Sequence, residues 1–178
     1  SFPPDELEQM RQEELVGLEQ SKTDPQALAS NLLSRHLNPY PAGDPRHVST
    51  PDEELAELAH VQVADLAAFH AAFYGASDGS GAAVGDFEAP AFTKLVEEVL
   101  GGWKSPSAYA RIPSELFAVS PLEKVIETSD KENAVYLAGL KTAMSSADPD
   151  YGALILGNYV LGGGFLNSRL ATRLRQEL

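Results

Sequence analysis

Apolar residues recur at helical spacing through most of the chain. Leu7, Met10, Leu15 and Leu18 stand among glutamates after Pro3-Pro4-Asp5-Glu6, predicting an opening helix with an acidic outer face. Asp24-Pro25 is an N-cap and first-turn pair, and Ala27, Leu28, Leu32 and Leu33 follow as a helix face. The prolines from Pro39 to Pro45 then forbid a helix and break a strand. Thr50 starts a capping box with Glu53, and Leu55 and Leu58 belong to the short helix behind it. A further helix is predicted from Asp65, with Leu66, Phe69 and Phe73 inward and Gly75 as its stop. Ala82 to Gly85 suits a short buried strand. Pro90 opens the most regular amphipathic helix, with Phe92, Leu95, Val96, Val99 and Leu100 on one face before Gly101-Gly102. Residues 104–113 carry two prolines and no period, as a linker would. Leu116 to Ile126 and Ala134 to Leu140 are apolar runs that predict strands around a turn at Ser129-Asp130-Lys131. This order predicts an α+β fold.

The final stretch is the most informative. Asp148-Pro149-Asp150 signals a helix start, and Tyr151, Leu154, Ile155 and Asn158 follow at helical spacing. Gly162-Gly163-Gly164 should break that helix. Asn167 or Ser168 should cap the next, whose stripe is Leu166, Leu170, Leu174 and Leu178. On a wheel of about 100° per residue starting from Arg169, Arg173 falls near ~40° and Arg175 near ~240°. The leucines from Leu170 to Leu178 span about 100° to 180°, so Arg175 borders the stripe at Leu178, on the flank opposite Arg169 and Arg173. A guanidinium there can lie along a core edge and present its donors to a carbonyl or carboxylate. It can equally be an ordinary surface arginine with its stem along apolar neighbours.

Composition narrows the chemistry. In 178 residues, 26 acids face 13 bases for a formal net charge of −13, which opposes a nucleic-acid partner. With 43% hydrophobic residues the chain can bury a core, and no run approaches the length of a membrane span. The absence of cysteine excludes disulfides, thiolate metal sites and a cysteine nucleophile. His36, His47, His60 and His70 show no metal-binding spacing, and no nucleophile elbow or phosphate-binding lysine loop occurs. Ser1 runs directly into a helix-start pattern, as expected of a position inside a longer polypeptide.

Three anchors resemble the pitrilysin/insulinase-type zinc metallopeptidases, which include the mitochondrial processing peptidase subunits. Val84-Gly85-Asp86-Phe87, a helix and Gly102-Trp103 look like the end of one family repeat. Asp130-Lys131 and then Asp148-Pro149-Asp150-Tyr151 look like the start of the next. Leu161-Gly162-Gly163-Gly164-Phe165, Ser168-Arg169-Leu170 and Arg175-Gln176-Glu177 are close to the family's glycine–serine–arginine pattern. The resemblance implies a clamshell of α+β repeats, helices layered on a mainly antiparallel sheet. Residues 1–103 would end one repeat, 104–113 link, and 114–178 begin the next. It further implies substrate contacts from Gly163, Gly164, Phe165, Ser168 and Arg169, and an auxiliary catalytic contact from Arg175 to substrate or transition state. The tyrosine that partners this arginine in the family would fall beyond Leu178.

The family's zinc motif is absent, and its distal glutamate ligand aligns with Gly17. The chain therefore resembles the non-catalytic half. No cofactor is expected in this chain, with zinc in the catalytic half, on the same polypeptide or a partner subunit. A peptide or protein substrate is the implied partner. Two alternatives stand beside this reading: a purely structural or assembly subunit of the same fold, or an active repeat whose zinc helix lies upstream of Ser1.

Overall fold

The computed structural model describes residues 2–164 and 167–177. Seven α-helices run along these residues: α1 (Pro4–Ser21), α2 (Pro25–Leu37), α3 (Pro51–Leu58), α4 (Val63–Phe73), α5 (Ala89–Leu100), α6 (Tyr151–Asn158) and α7 (Arg169–Thr172). Wider π-helical turns follow α6 at Tyr159–Gly163 and α7 at Arg173–Glu177. The chain divides into two compact units, Ser1–Gly139 and Leu140–Leu178.

The helix starts follow local chemistry. Asp24 accepts from the Ala27 amide at 2.7 Å, ahead of Pro25. Thr50 and Glu53 form a reciprocal capping box, with Thr50 N–H donating to Glu53 Oε2 at 2.6 Å and Glu53 N–H to Thr50 Oγ1 at 3.2 Å. The bond from the Thr50 amide first, and then one from Thr50 Oγ1 to the same Oε2 at 3.0 Å, hold the Glu53 carboxyl below its ordinary range. A second capping box, Gln62 with Asp65, starts α4. Helix α3 lies antiparallel to α1: Lys22 near the end of α1 meets Asp52 in the first turn of α3 at 2.9 Å. Arg11 meets the carbonyls of Leu58 and Val61 at its other end.

The expected α+β architecture, helices on a mainly antiparallel sheet, is not found: among the described residues every regular element is helical. Residues 116–126 and 134–140 are extended or irregular, yet their amides and carbonyls form no ladder with one another. Contacts with α2 and the loop after it take that place. His36 Nε2 bonds the Ser120 carbonyl at 2.8 Å, and Phe117 packs edge-on against Tyr40, centroids 4.9 Å apart. Gly139 approaches Leu33 and Leu37 so closely that a Cβ there would stand 3.2 and 3.5 Å from their methyls. The short strand expected at Ala82 to Gly85 is likewise bare, with Val84 fully exposed.

Helix α4 is tied to the segment after α5. The Ala76 amide donates to the Trp103 carbonyl at 2.8 Å and the Ser107 amide to Ala72 at 3.1 Å. Ser105 Oγ donates to the Phe73 carbonyl at 3.0 Å. Gly75 sits inside this seam, where a Cβ would come within 2.1 Å of the Ser105 nitrogen.

Candidate functional site

Unit Leu140–Leu178 carries the glycines and arginines singled out in the sequence. Asp148 does not cap α6 itself. Its side chain accepts from the Asp150 amide at 3.1 Å and its carbonyl accepts from Tyr151 at 3.0 Å. That is an Asx-type turn, which moves the cap to Asp150.

The triple glycine does not end the helix where expected. The helix widens after Asn158 and runs on through Gly162 and Gly163, ending when the Gly164 amide donates to Tyr159 O at 2.7 Å. A Cβ on Gly164 would stand 3.0 Å from that same Tyr159 oxygen, one on Gly163 3.4 Å from Asn158 O, and one on Gly162 3.3 Å from a Leu170 methyl. The glycines therefore let a wide turn close on its own carbonyls and let α7 approach it.

Ser168 caps α7. Its Oγ accepts from the Ala171 amide at 3.2 Å and its carbonyl from Thr172 at 3.0 Å, with the residue 2% exposed. Arg169, Arg173 and Arg175 are all exposed. Arg173 pairs with Glu177 one turn on, whereas Arg169 and Arg175 have no such ion pair among the described residues. Arg175 lies in the π-helical turn, where the advance per residue is smaller than in an α-helix, so a uniform 100° wheel does not hold there. Of the residues singled out, Gly163 and Gly164 close the wide turn, Ser168 caps α7 and Arg169 opens it, with Arg175 on the next turn. Phe165 lies outside the described residues, as do Leu166 and Leu178 of the leucine stripe.

A second polar cluster, in unit Ser1–Gly139, had no sequence signal beyond the proline-rich loop that houses it. Tyr40 is 7% exposed, with the Arg46 guanidinium 4.1 Å above its ring. Arg46 grips Asp44 through Nε and a terminal nitrogen at 2.9 and 2.8 Å, and reaches the Pro113 carbonyl at 2.8 Å and Glu115 at 3.1 Å. The Glu115 amide donates to the Tyr40 hydroxyl at 2.8 Å. Bonds from Arg46 hold the Asp44 carboxyl down at about 2, and Asp44 in turn raises the guanidinium's pKa. His47 Nδ1 faces the Tyr40 carbonyl at 2.8 Å; a carbonyl only accepts, so that nitrogen carries the proton. A cavity of about 260 Å³ opens beside this cluster, lined by Arg35, Asn38, Tyr40 and His47 among others. The cluster's geometry is that of a clamp, fastening residues 113–117 to the loop after α2.

The described residues do not fit a zinc site. His36 and His47 are committed to carbonyls, and His70 is stacked on Tyr74, ring centroids 4.9 Å apart. No group of three or more His, Asp and Glu side chains converges among the described residues. Nor, among them, is any helix long and apolar enough to cross a membrane.

Comparison with known proteins identifies the family. The family model described as Peptidase M16 inactive domain matches residues 60–178, and the chain belongs to that family. The chain is also similar to a crystal structure of a peptidase M16 inactive domain from Pseudomonas fluorescens, with a TM-score of 0.67 and 25% identity. That similarity covers 99% of this chain and 41% of the other, so the chain spans less than half the length of that relative. No curated protein matches.

Proposed function

We propose that this segment belongs to the non-catalytic half of a zinc metalloendopeptidase, where it encloses and positions an extended peptide for hydrolysis at a zinc site carried elsewhere. The observation that carries this reading is the match of residues 60–178 to a domain family described as inactive. The catalytic half lies on the same polypeptide or on a partner subunit, and residues 1–103 and 114–178 belong to successive repeats. Arg175 is the auxiliary residue, its exposed guanidinium offering a fork of donors to a peptide carbonyl. Gly163, Gly164 and Arg169 lie beside the substrate backbone, with Phe165, and Ser168 fixes the turn that presents them. The acid excess favours basic or neutral peptides.

The test is Arg175→Ala in the full-length enzyme, assayed on a peptide substrate. A donor acting on the reacting carbonyl loses roughly 10- to 1000-fold in kcat when removed. Unchanged kcat and KM would reject the role and leave the segment a structural or assembly element of the same fold.

A further inference from the structure

Asp78 is the one aspartate of the chain that precedes a glycine, and the pair stands at an exposed turn. Residues Ala76 to Gly79 reverse the chain after α4, with Ser77 and Asp78 at the two central positions. The Gly79 amide donates to the Ala76 carbonyl at 3.4 Å, longer than the usual range of about 2.7–3.2 Å, so it is weakly held. Among the described residues the Asp78 carboxyl has neither a hydrogen bond nor an ion pair. Nothing there keeps it from the nitrogen of the next residue. Gly79 has no Cβ to crowd that nitrogen. Every other aspartate precedes either a proline, whose nitrogen carries no hydrogen, or a residue with a Cβ beside the nitrogen.

The same turn is bonded to the segment after α5. Ser77 Oγ accepts from the Ser105 amide at 3.1 Å, and the Ala76 amide donates to the Trp103 carbonyl at 2.8 Å. A change in backbone length at residue 78 therefore falls directly beside a seam between two segments.

We propose that Asp78–Gly79 is a site of spontaneous covalent modification, aspartate isomerisation, whose product loosens this seam. The Gly79 nitrogen attacks Cγ of the protonated Asp78 carboxyl. The N–Cγ bond forms, the amide proton is lost, the Cγ–OH bond breaks, and one water leaves. The product is a cyclic succinimide, which water opens at either carbonyl. Opening at Cγ restores aspartate. Opening at the main-chain carbonyl leaves isoaspartate, with the backbone running through Cβ and the α-carboxylate as the side group. One water is lost and one regained, so the chain keeps its mass and no oxidant or cofactor enters. The main chain is now one atom longer at residue 78, which displaces the turn from residues 103–107.

The test ages the full chain in neutral buffer, then unfolds it and digests it with an endoproteinase that cuts before aspartate but not before isoaspartate. Peptides uncut at residue 78 and unchanged in mass should accumulate with time. An isoaspartyl methyltransferase with labelled S-adenosylmethionine should mark the same position. Gly79→Ala should slow the accumulation at least about tenfold, equivalent to about 1.4 kcal/mol in barrier. That variant should fold normally, because a Cβ on Gly79 would come no closer than 3.6 Å to the Ala76 carbonyl oxygen. Asp78→Glu, which would have to close a larger ring, should abolish the methylation. In the isomerised fraction of the native chain, amide exchange should quicken at Ala76 and Ser105. No isoaspartate at residue 78, or as much at Asp86 and Asp130, would overturn the site. Unchanged exchange in the isomerised fraction would overturn its link to the seam.

Discussion

Arg11 on α1 donates a hydrogen bond to the main-chain oxygen of Leu58, the last residue of α3. Its other terminal nitrogen reaches the Val61 carbonyl at 2.6 Å, so one side chain, 13% exposed, satisfies two carbonyls at and just beyond the helix end. A cation at that end also meets the negative pole of the helix dipole. Arg11→Ala should therefore lower unfolding free energy by about 2–3 kcal/mol, since two carbonyls lose charged donors. Lysine should restore only part of this, because an ammonium lacks the planar fork. Denaturant titration of the three proteins measures the difference.

Gly75 admits no side chain. With a Cβ placed 2.1 Å from the Ser105 nitrogen, alanine there must push α4 away from residues 103–107 and break the bonds around Ser105. Gly75→Ala is expected to cost at least about 2–3 kcal/mol, the upper range for overpacking. Amide exchange should locate the loss at Ala76 and Ser107. A stability change below about 0.5 kcal/mol, the scale of an ordinary surface substitution, would contradict that seam.

The clamp between Asp44 and Arg46 has a defined acid limit. The Asp44 pKa is about 2 in the folded chain against 3.8 for the free group, so its carboxylate favours the fold. That contribution is complete above about pH 4 and disappears as pH falls through about 2. Asp44→Asn should lower the melting temperature at neutral pH and flatten the decline between about pH 4 and 2. Melting curves across that window, wild type against variant, decide it.

Ser168 is almost wholly buried and accepts from the Ala171 amide, so Ser168→Ala removes an N-cap as well as a buried hydroxyl. The expected loss is about 1 kcal/mol from the cap alone. Ser168→Thr keeps the oxygen and should recover most of it. On the proposed function, the alanine variant of the full-length protein should reduce turnover through misplacement of Arg169 and Arg175, with the threonine variant near wild type.

What was legible in the sequence was local. The caps at Asp24, Thr50 and Ser168 follow from side chains bonding amides a few residues on, and α5 follows from its period. The extended segments failed for the opposite reason. Leu116–Ile126 and Ala134–Leu140 have strand-like composition, but a strand exists only when another backbone completes its ladder. Here His36, Tyr40 and the α2 leucines hold these segments instead. The Tyr40–Arg46 clamp joins residues about 70 positions from Glu115, a pairing that no local pattern encodes. At the candidate site, a wheel with one fixed angle could not foresee the wide turns after Asn158 and Thr172. The glycines were visible, but not the carbonyls they make room for.

Trp103, the sole tryptophan, closes the seam at Gly75: its carbonyl bonds Ala76, and its indole lies near-parallel to His70, centroids 6.4 Å apart. Its emission is therefore a gauge of one seam. The unit that bears the glycine turn and Arg175 contains no tryptophan and would unfold unseen by this signal. A single smooth fluorescence transition would say nothing about whether the unit with the glycine turn had already come apart.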